Sequence, residues 1–587
     1  MKKRILLTLL AALLALGSWA NGTEIDGLHY LLDRDSQTAS VTYTGTSKTS
    51  TYSDSITIPR TVTHNDTTYT ITSIGQYAFN ECKGLMDVSI PSTVTTIETA
   101  AFKGCSTLTG IDIPNSVTII RDYAFYACSG LEELILPESL EIIGVNAFYF
   151  CTGLTGTLRI PAKVASIGLG AFSTCHNLSS VVFPDSLKDI GSSAFYNCWG
   201  LRGEIVFPEA LETIGSYAFG NCKNVTGTLT LPETLTTLEA NAFCDCQRIT
   251  GIVFPRSLTA IADGICHDCI KLVDVYIPNT IKSIGEMAFA ACTSLTTINI
   301  PNSVTYIGAA AFNACSSLTG PLVIPDSVIT INDQAFYNCT SLTGELHLPN
   351  SVTSIGSYAF AGCPGLTGIT LPANLISISE ATFLGCSGLE GSVFLPDRVR
   401  RIGAYAFKGC TNLQGIYLPP AVTYIGNQSF ANCSSLTNVI IPEGCETIDQ
   451  SAFSGCRGLE EVSIPTSVKM IYAYAFQNCS SLANIYARRN LPREYNCVTN
   501  VFDGVDTATC LLHVPKNSRD AYASTAPWSD FLNIVGDNVT GIDDTLATGN
   551  PQEASYYNLQ GQRLTEPQKG IIIVRYSDGT SKKMLVK

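Results

Sequence analysis

The stretch Ile300-Pro301-Asn302-Ser303-Val304, followed by Ile307, Ala311-Phe312, Cys315 and Leu318, decides how the whole chain reads. Its spacing returns from one end of the sequence to the other. Cysteines stand at 82, 105, 128, 151, 175, 198, 222, 246, 269, 292, 315, 339, 363, 386, 410, 433, 456 and 479, and every interval is 23 or 24 residues. Around each lies the pattern I-x-I-P-x-S-V-x-x-I-x-x-x-A-F-x-x-C-x-x-L. A fixed period of this length marks a solenoid, because one such unit cannot bury its own apolar face and must stack on its neighbours.

Each position of the pattern has a physical reading. From Leu318 to Ile324 apolar and polar residues alternate and then meet Pro325, which predicts a short strand with one face inward. Proline suits the end of a strand, where its missing N–H breaks no ladder bond. The Val and Ile that follow are expected to line the opposite wall. Ala-Phe-x-x-Cys has helical spacing, so the closing turn is predicted to be helical, with Phe, Cys and Leu on one inward face. Stacking then sets equivalent residues in rows. The Phe row runs from Phe79 to Phe476 and is interrupted once, by Cys266; the Ile row runs from Ile74 to Ile471, with Leu238 the single substitute.

All six 24-residue intervals begin at a Cys followed five residues later by glycine: Gly156, Gly203, Gly227, Gly320, Gly344 and Gly391. Proline then comes one residue late. The added residue therefore sits just before the strand, and glycine tolerates the backbone angles of a bulge there. The fold class that follows is a β-rich α/β solenoid, a superhelix of about 18 coils with a cap at each end.

The repeat closely resembles the BspA-like, or Treponema-type, leucine-rich repeat of bacterial surface proteins. The likeness covers residues 56 to about 486 and recurs eighteen times. Ile25-Asp26-Gly27-Leu28-His29-Tyr30 and the β-rich stretch to Tyr69 resemble the N-terminal cap of such proteins. Val501-Phe502-Asp503-Gly504-Val505, Leu512-His513-Val514-Pro515 and Trp528-Ser529-Asp530-Phe531 resemble their C-terminal cap. Tyr557-Asn558-Leu559-Gln560-Gly561-Gln562-Arg563 and Lys569 to Val574 are similar to the sorting tail of many exported Bacteroidetes proteins, read by the type IX secretion system. The tail also reads simply as three short strands, Tyr556–Leu559, Gly570–Tyr576 and Lys583–Val586, and both readings stand. The expected domains are a leader (1–20), an N-terminal β-cap (21–69), the solenoid (70–486), a C-terminal cap (487–536), a polar linker (537–553) and the tail (554–587).

The leader reading rests on Lys2, Lys3 and Arg4, the apolar run Ile5 to Leu16 and the small residues of Ser18-Trp19-Ala20. The run is shorter than the roughly 20 residues that cross a bilayer. An exported chain without a membrane span is expected, held at the cell surface or released. Charged residues make up only 14%, and the net charge of -14 argues against nucleic acid or an anionic membrane as partner.

The loudest chemical feature is the cysteine ladder. Stacked side chains point in parallel, so the ladder reads as buried thiols acting as small hydrophobes, kept reduced, rather than as disulfides. Cys244 lies one place past the Phe slot and is expected to face outward. In Cys266-His267-Asp268-Cys269 the cysteines fill the Phe and ladder slots, and no second pair completes a zinc site. Cys497 and Cys510 lie outside the repeat and are the disulfide candidates. The six histidines are scattered, and no H-E-x-x-H, G-x-S-x-G or phosphate loop occurs, so no catalytic residue, metal or cofactor is expected.

Two residues before each proline lies a side chain on the outer, concave face of the strand wall. The candidate ligand-binding strip is Ile135, Val182, Val206, Val253, Tyr276, Val323, His347, Phe394, Tyr417 and Ile440, with Arg159 among them. Acidic residues flank it at Glu133, Glu204, Asp274, Glu345 and Glu461. Strand propensity accounts for branched and aromatic residues on an exposed wall; contiguous exposed apolar surface marks an interface. Both readings remain open at this point. The family likeness implies an adhesin-like monomer that contacts proteins or glycoproteins outside the cell. A rigid structural spacer is the alternative, and glycan capture a third, for which Tyr276, Phe394 and Tyr417 lie too far apart.

Overall fold

The structure, a computed structural model, describes residues 22–44, 48–498 and 500–537, and four strands between 555 and 586. The expected leader and all but the first residue of the expected linker lie outside the described residues. The chain forms two compact units, Met1–Thr280 and Ile281–Lys587. Each is a stack of coils, and the leucine-rich-repeat solenoid read from the period is what both units show.

The most regular sheet is not on the wall that the alternating pattern picked out. It runs through the V-x-x-I wall as parallel two-residue strands in strict register. Tyr306 and Ile307 pair with Thr330 and Ile331, which pair with Ser354 and Ile355; Ile119–Ile120, Ile142–Ile143 and Ser166–Ile167 form the same ladder in the first unit. The wall before the prolines is interrupted, and around Ile135 and Asn299 no strand forms. Coils of two lengths meet there, and the ladder must absorb the difference. It does so at the glycines: register shifts fall at Gly227/Thr228, Gly344/Glu345 and Gly391/Ser392, where φ is +82°, +83° and +66°. Three of the six bulges read from the sequence are thus present as register shifts.

The closing turn is not helical, contrary to the reading of Ala-Phe-x-x-Cys. Within one coil Ala311, Asn313 and Cys315 donate back to the carbonyls of Gly308, Ala310 and Phe312. The intervening N–H groups leave the coil: Ala310, Phe312 and Ala314 donate to Asp333, Ala335 and Tyr337 of the next one, at 2.8, 2.8 and 2.7 Å. Ala310 and Ala314 adopt φ of 52° and 57°. A helix would spend every N–H inside its own coil. The alternation instead lets the turn bond to its neighbour like a strand, at the cost of two left-handed residues per coil.

The core is made of rows. The Phe rings are fully buried and stack nearly parallel, with centroids 5.0 Å apart for Phe79–Phe102 and 5.2 Å for Phe312–Phe336. In the first unit the row starts against a tilted ring, and in the second it ends against tilted rings. Tyr52 meets Phe79 at 52°, while Trp528 and Phe531 meet Phe502 at 57° and 82°. A tilted ring covers the last face without offering a parallel one for further stacking. The cap regions thereby protect apolar ends that a bare solenoid would expose. The first coil begins within the stretch read as cap, since Ser53–Thr57 already pairs with Gly84–Ser89.

The tail forms four antiparallel strands, Ser555–Tyr557, Arg563–Leu564, Gly570–Arg575 and Ser581–Val586, one more than the sequence suggested. The added strand is two residues long and carries no alternation to announce it.

Candidate binding faces

The ladder cysteines do more than fill space. Sixteen of the eighteen ladder thiols, all but those of Cys82 and Cys292, donate to the carbonyl of the Phe in the preceding coil, as Cys315 does to Phe289 at 3.2 Å and Cys339 to Phe312 at 3.1 Å. That carbonyl also accepts the N–H of its own coil's Cys, so both lone pairs are used. Burial pushes the Cys315 and Cys433 thiols up to about 12, which suppresses the thiolate.

The reading of Cys244 as outward-facing is overturned, for it is buried. The equivalent position of the preceding coil is Gly220, and a Cβ there would lie 3.2 Å from the Cys244 sulfur. The thiol settles into the space that glycine leaves, beside Tyr196 and Tyr217. Cys497 and Cys510 are free thiols on different walls: Cys497 bridges Ile471 of the short-strand wall, whereas Cys510 precedes Leu511–Pro515, which pairs with Asn484–Ala487. Among the described residues no group of three or more His, Cys, Asp or Glu could hold a metal ion. Nor is any helix among them long and apolar enough to cross a membrane.

The outer strip is at the surface. In the first unit Ile135 and Val206 are 71% and 77% exposed, Arg159, Val182 and Tyr276 are exposed, and Val253 is half-buried. In the second unit Val323 is 72% exposed, His347 and Ile440 are exposed, and Phe394 and Tyr417 are half-buried. Adjacent coils bring several of these side chains together. Arg159 pairs with Val182 and Val253 with Tyr276. His347 lies 3.3 Å from Thr370 and from Glu345, and the rings of Phe394 and Tyr417 stand 6.1 Å apart. The strand register carries the second row into the C-terminal cap, from Ile440 through Ser463, Tyr486 and His513 to Val535. There Tyr486 stacks on His513 at 4.5 Å, and His513 lies 2.6 Å from Asp537. Sequence reasoning left these residues out: no proline follows Tyr486, and His513 was absorbed into the cap pattern although Pro515 stands two places on.

The sequence profile of the BspA type leucine rich repeat region matches residues 54–157, 147–226, 202–319, 320–410 and 391–500. No protein of curated function matches. Among solved structures, a leucine-rich repeat protein from Bacteroides ovatus is 25% identical, over 82% of this chain and 99% of that one, with a TM-score of 0.37. A leucine rich cell surface protein from Faecalibacterium prausnitzii is 26% identical over 80% and 95%, TM-score 0.26. The leucine rich repeat protein of T. pallidum is 21% identical over 51% and 90%, TM-score 0.23.

Proposed function

The chain belongs to the BspA-type leucine-rich repeat family, and from that premise we propose that it is an exported, adhesin-like binding protein whose outer strand rows contact proteins or glycoproteins outside the cell. The observation that carries the reading is the row itself. Ile135, Val182, Val206 and Val323 hold branched apolar side chains in solvent although nothing in the core requires them there. A solenoid with no ligand is free to place Thr or Ser at such positions, as it does at Thr230 and Ser463. Exposed apolar residues recurring along each row and flanked by carboxylates suit a partner surface with apolar contact points and a basic rim. Export follows from the leader reading, and the four-stranded tail supports the sorting-domain reading.

The test is capture from a mixture of extracellular-matrix and serum proteins on the immobilised full chain, repeated with Val182→Ser/Val206→Ser and Phe394→Ser/Tyr417→Ser. A partner retained by the parent and lost at least tenfold by either variant, with unchanged thermal unfolding, supports the strip. Equal capture by all three chains, or none by the parent, overturns it and leaves the rigid spacer.

A further inference from the structure

A second surface lies on the turn wall of the first unit. Residues 144–153, 168–177 and 191–200 form the closing turns of three consecutive coils and contain no Asp, Glu, Lys or Arg. In place of charge they carry an exposed aromatic chain. Tyr149 stands 6.3 Å from Phe150, Phe150 meets His176 edge to face at 6.5 Å, and His176 stacks on Trp199 at 4.2 Å. Phe150 and Trp199 are 42% and 43% exposed.

Phe150 is the oddest of these. It occupies a left-handed position, φ 60°, where the same slot of other coils holds Gly104, Asn197 or Asn221. A bulky residue there is strained, and this one spends the strain on holding an apolar ring in water. Trp199 is also held in place, since Asn224 donates to its carbonyl at 2.8 Å, as Asn177 does to that of Thr152. Burial holds His176 below its ordinary value, so it stays neutral near pH 7 and offers one donor and one acceptor.

We propose that this wall binds a neutral oligosaccharide, whose C–H faces pack on Phe150 and Trp199 while His176 and Asn177 reach its hydroxyls. Charge selects that occupant. These three turns hold no cation for an acidic glycan or peptide, which a chain of net charge -14 also repels, and no carboxylate for a basic one; the charges nearest in the stack are Lys223, one coil beyond Trp199, and Lys103, over the ring of Tyr126. Aromatic rings beside neutral hydrogen-bonding groups match a ligand with both C–H faces and hydroxyls.

Trp528 is fully buried, which leaves Trp199 as the exposed tryptophan of the described residues. A change in tryptophan emission that Trp199→Phe abolishes therefore reports on this wall. The full chain is titrated with cellohexaose, mannohexaose and maltohexaose, with hexagalacturonate as the charged control, and each affinity is checked by calorimetry. Saturable binding of at least one neutral probe is expected, insensitive to salt, with no response to hexagalacturonate. Trp199→Ala and Phe150→Ala should each weaken it tenfold or more, Trp199→Phe less, and Val206→Ser on the outer strip not at all. Calorimetry reads the variants that lack the tryptophan. No binding of any neutral probe, or undiminished binding by Trp199→Ala and Phe150→Ala, overturns the proposal. So does an apolar protein that needs Trp199 when no saccharide binds. Because the strip variant is read separately, the two faces fail or stand independently.

Discussion

The coil of Phe312 and the coil of Cys266 solve one packing problem in two ways. In the first, Ile300 stands just before the proline, Ala311 precedes the ring, and Phe312 fills the row. In the second, Phe254 stands just before the proline, Ile265 stands in the Ala slot, and Cys266 takes the place of the ring; all three are buried. The large group has moved from one inward position to another, and the small one has been exchanged with it. Between these two coils the enclosed volume changes less than the residues that fill it. Cores tolerate such exchanges when total volume is kept.

Removing a ring from the regular coil is the severest way to break this comparison. Phe312→Ala has no compensating group in its coil and leaves a cavity between stacked rings, so it should cost about 3–5 kcal/mol. Hydrogen exchange of the amides in its own and adjacent coils is the suitable measure, because long repeat arrays do not unfold in one step. A loss confined below about 1 kcal/mol would mean that the row is loosely packed.

Restoring the ring to the irregular coil should also destabilise. Cys266→Phe places a ring where Ile265 and Phe254 already occupy the space, which should cost about 1–3 kcal/mol through overpacking. Adding Ile265→Ala should recover most of the loss. A stabilising Cys266→Phe single variant would show that the irregular coil holds a void instead of an exchange, and would end the comparison.

The smallest effect lies on the outer face. Tyr276 follows the irregular coil, is 51% exposed, and pairs with Val253 in the strand wall. Tyr276→Ala should change stability by less than about 1 kcal/mol. A cost matching that of Phe312→Ala would mean that the strand presents its other face to solvent.

Rows were legible in the sequence because a period states which residues share an environment. The cysteine spacing, the single interruption at Cys266 and the late prolines after the bulge glycines all follow from counting, and the structure repeats them. The outer strip was legible for the same reason, up to the C-terminal cap, where the proline that marks the row is missing after Tyr486. Counting does not say which way the backbone turns between rows. Helical spacing in Ala-Phe-x-x-Cys is also the spacing of a chain that donates alternate N–H groups to its neighbour, and only the left-handed angles at Ala310 and Ala314 separate the two. Whether a side chain is covered depends on the residue one coil away. Cys244 is buried because that residue is Gly220, and Phe150, His176 and Trp199 form one surface because three turns stack in register. Contacts between residues some two dozen positions apart belong to the stack, and the stack exists only once the coils have closed.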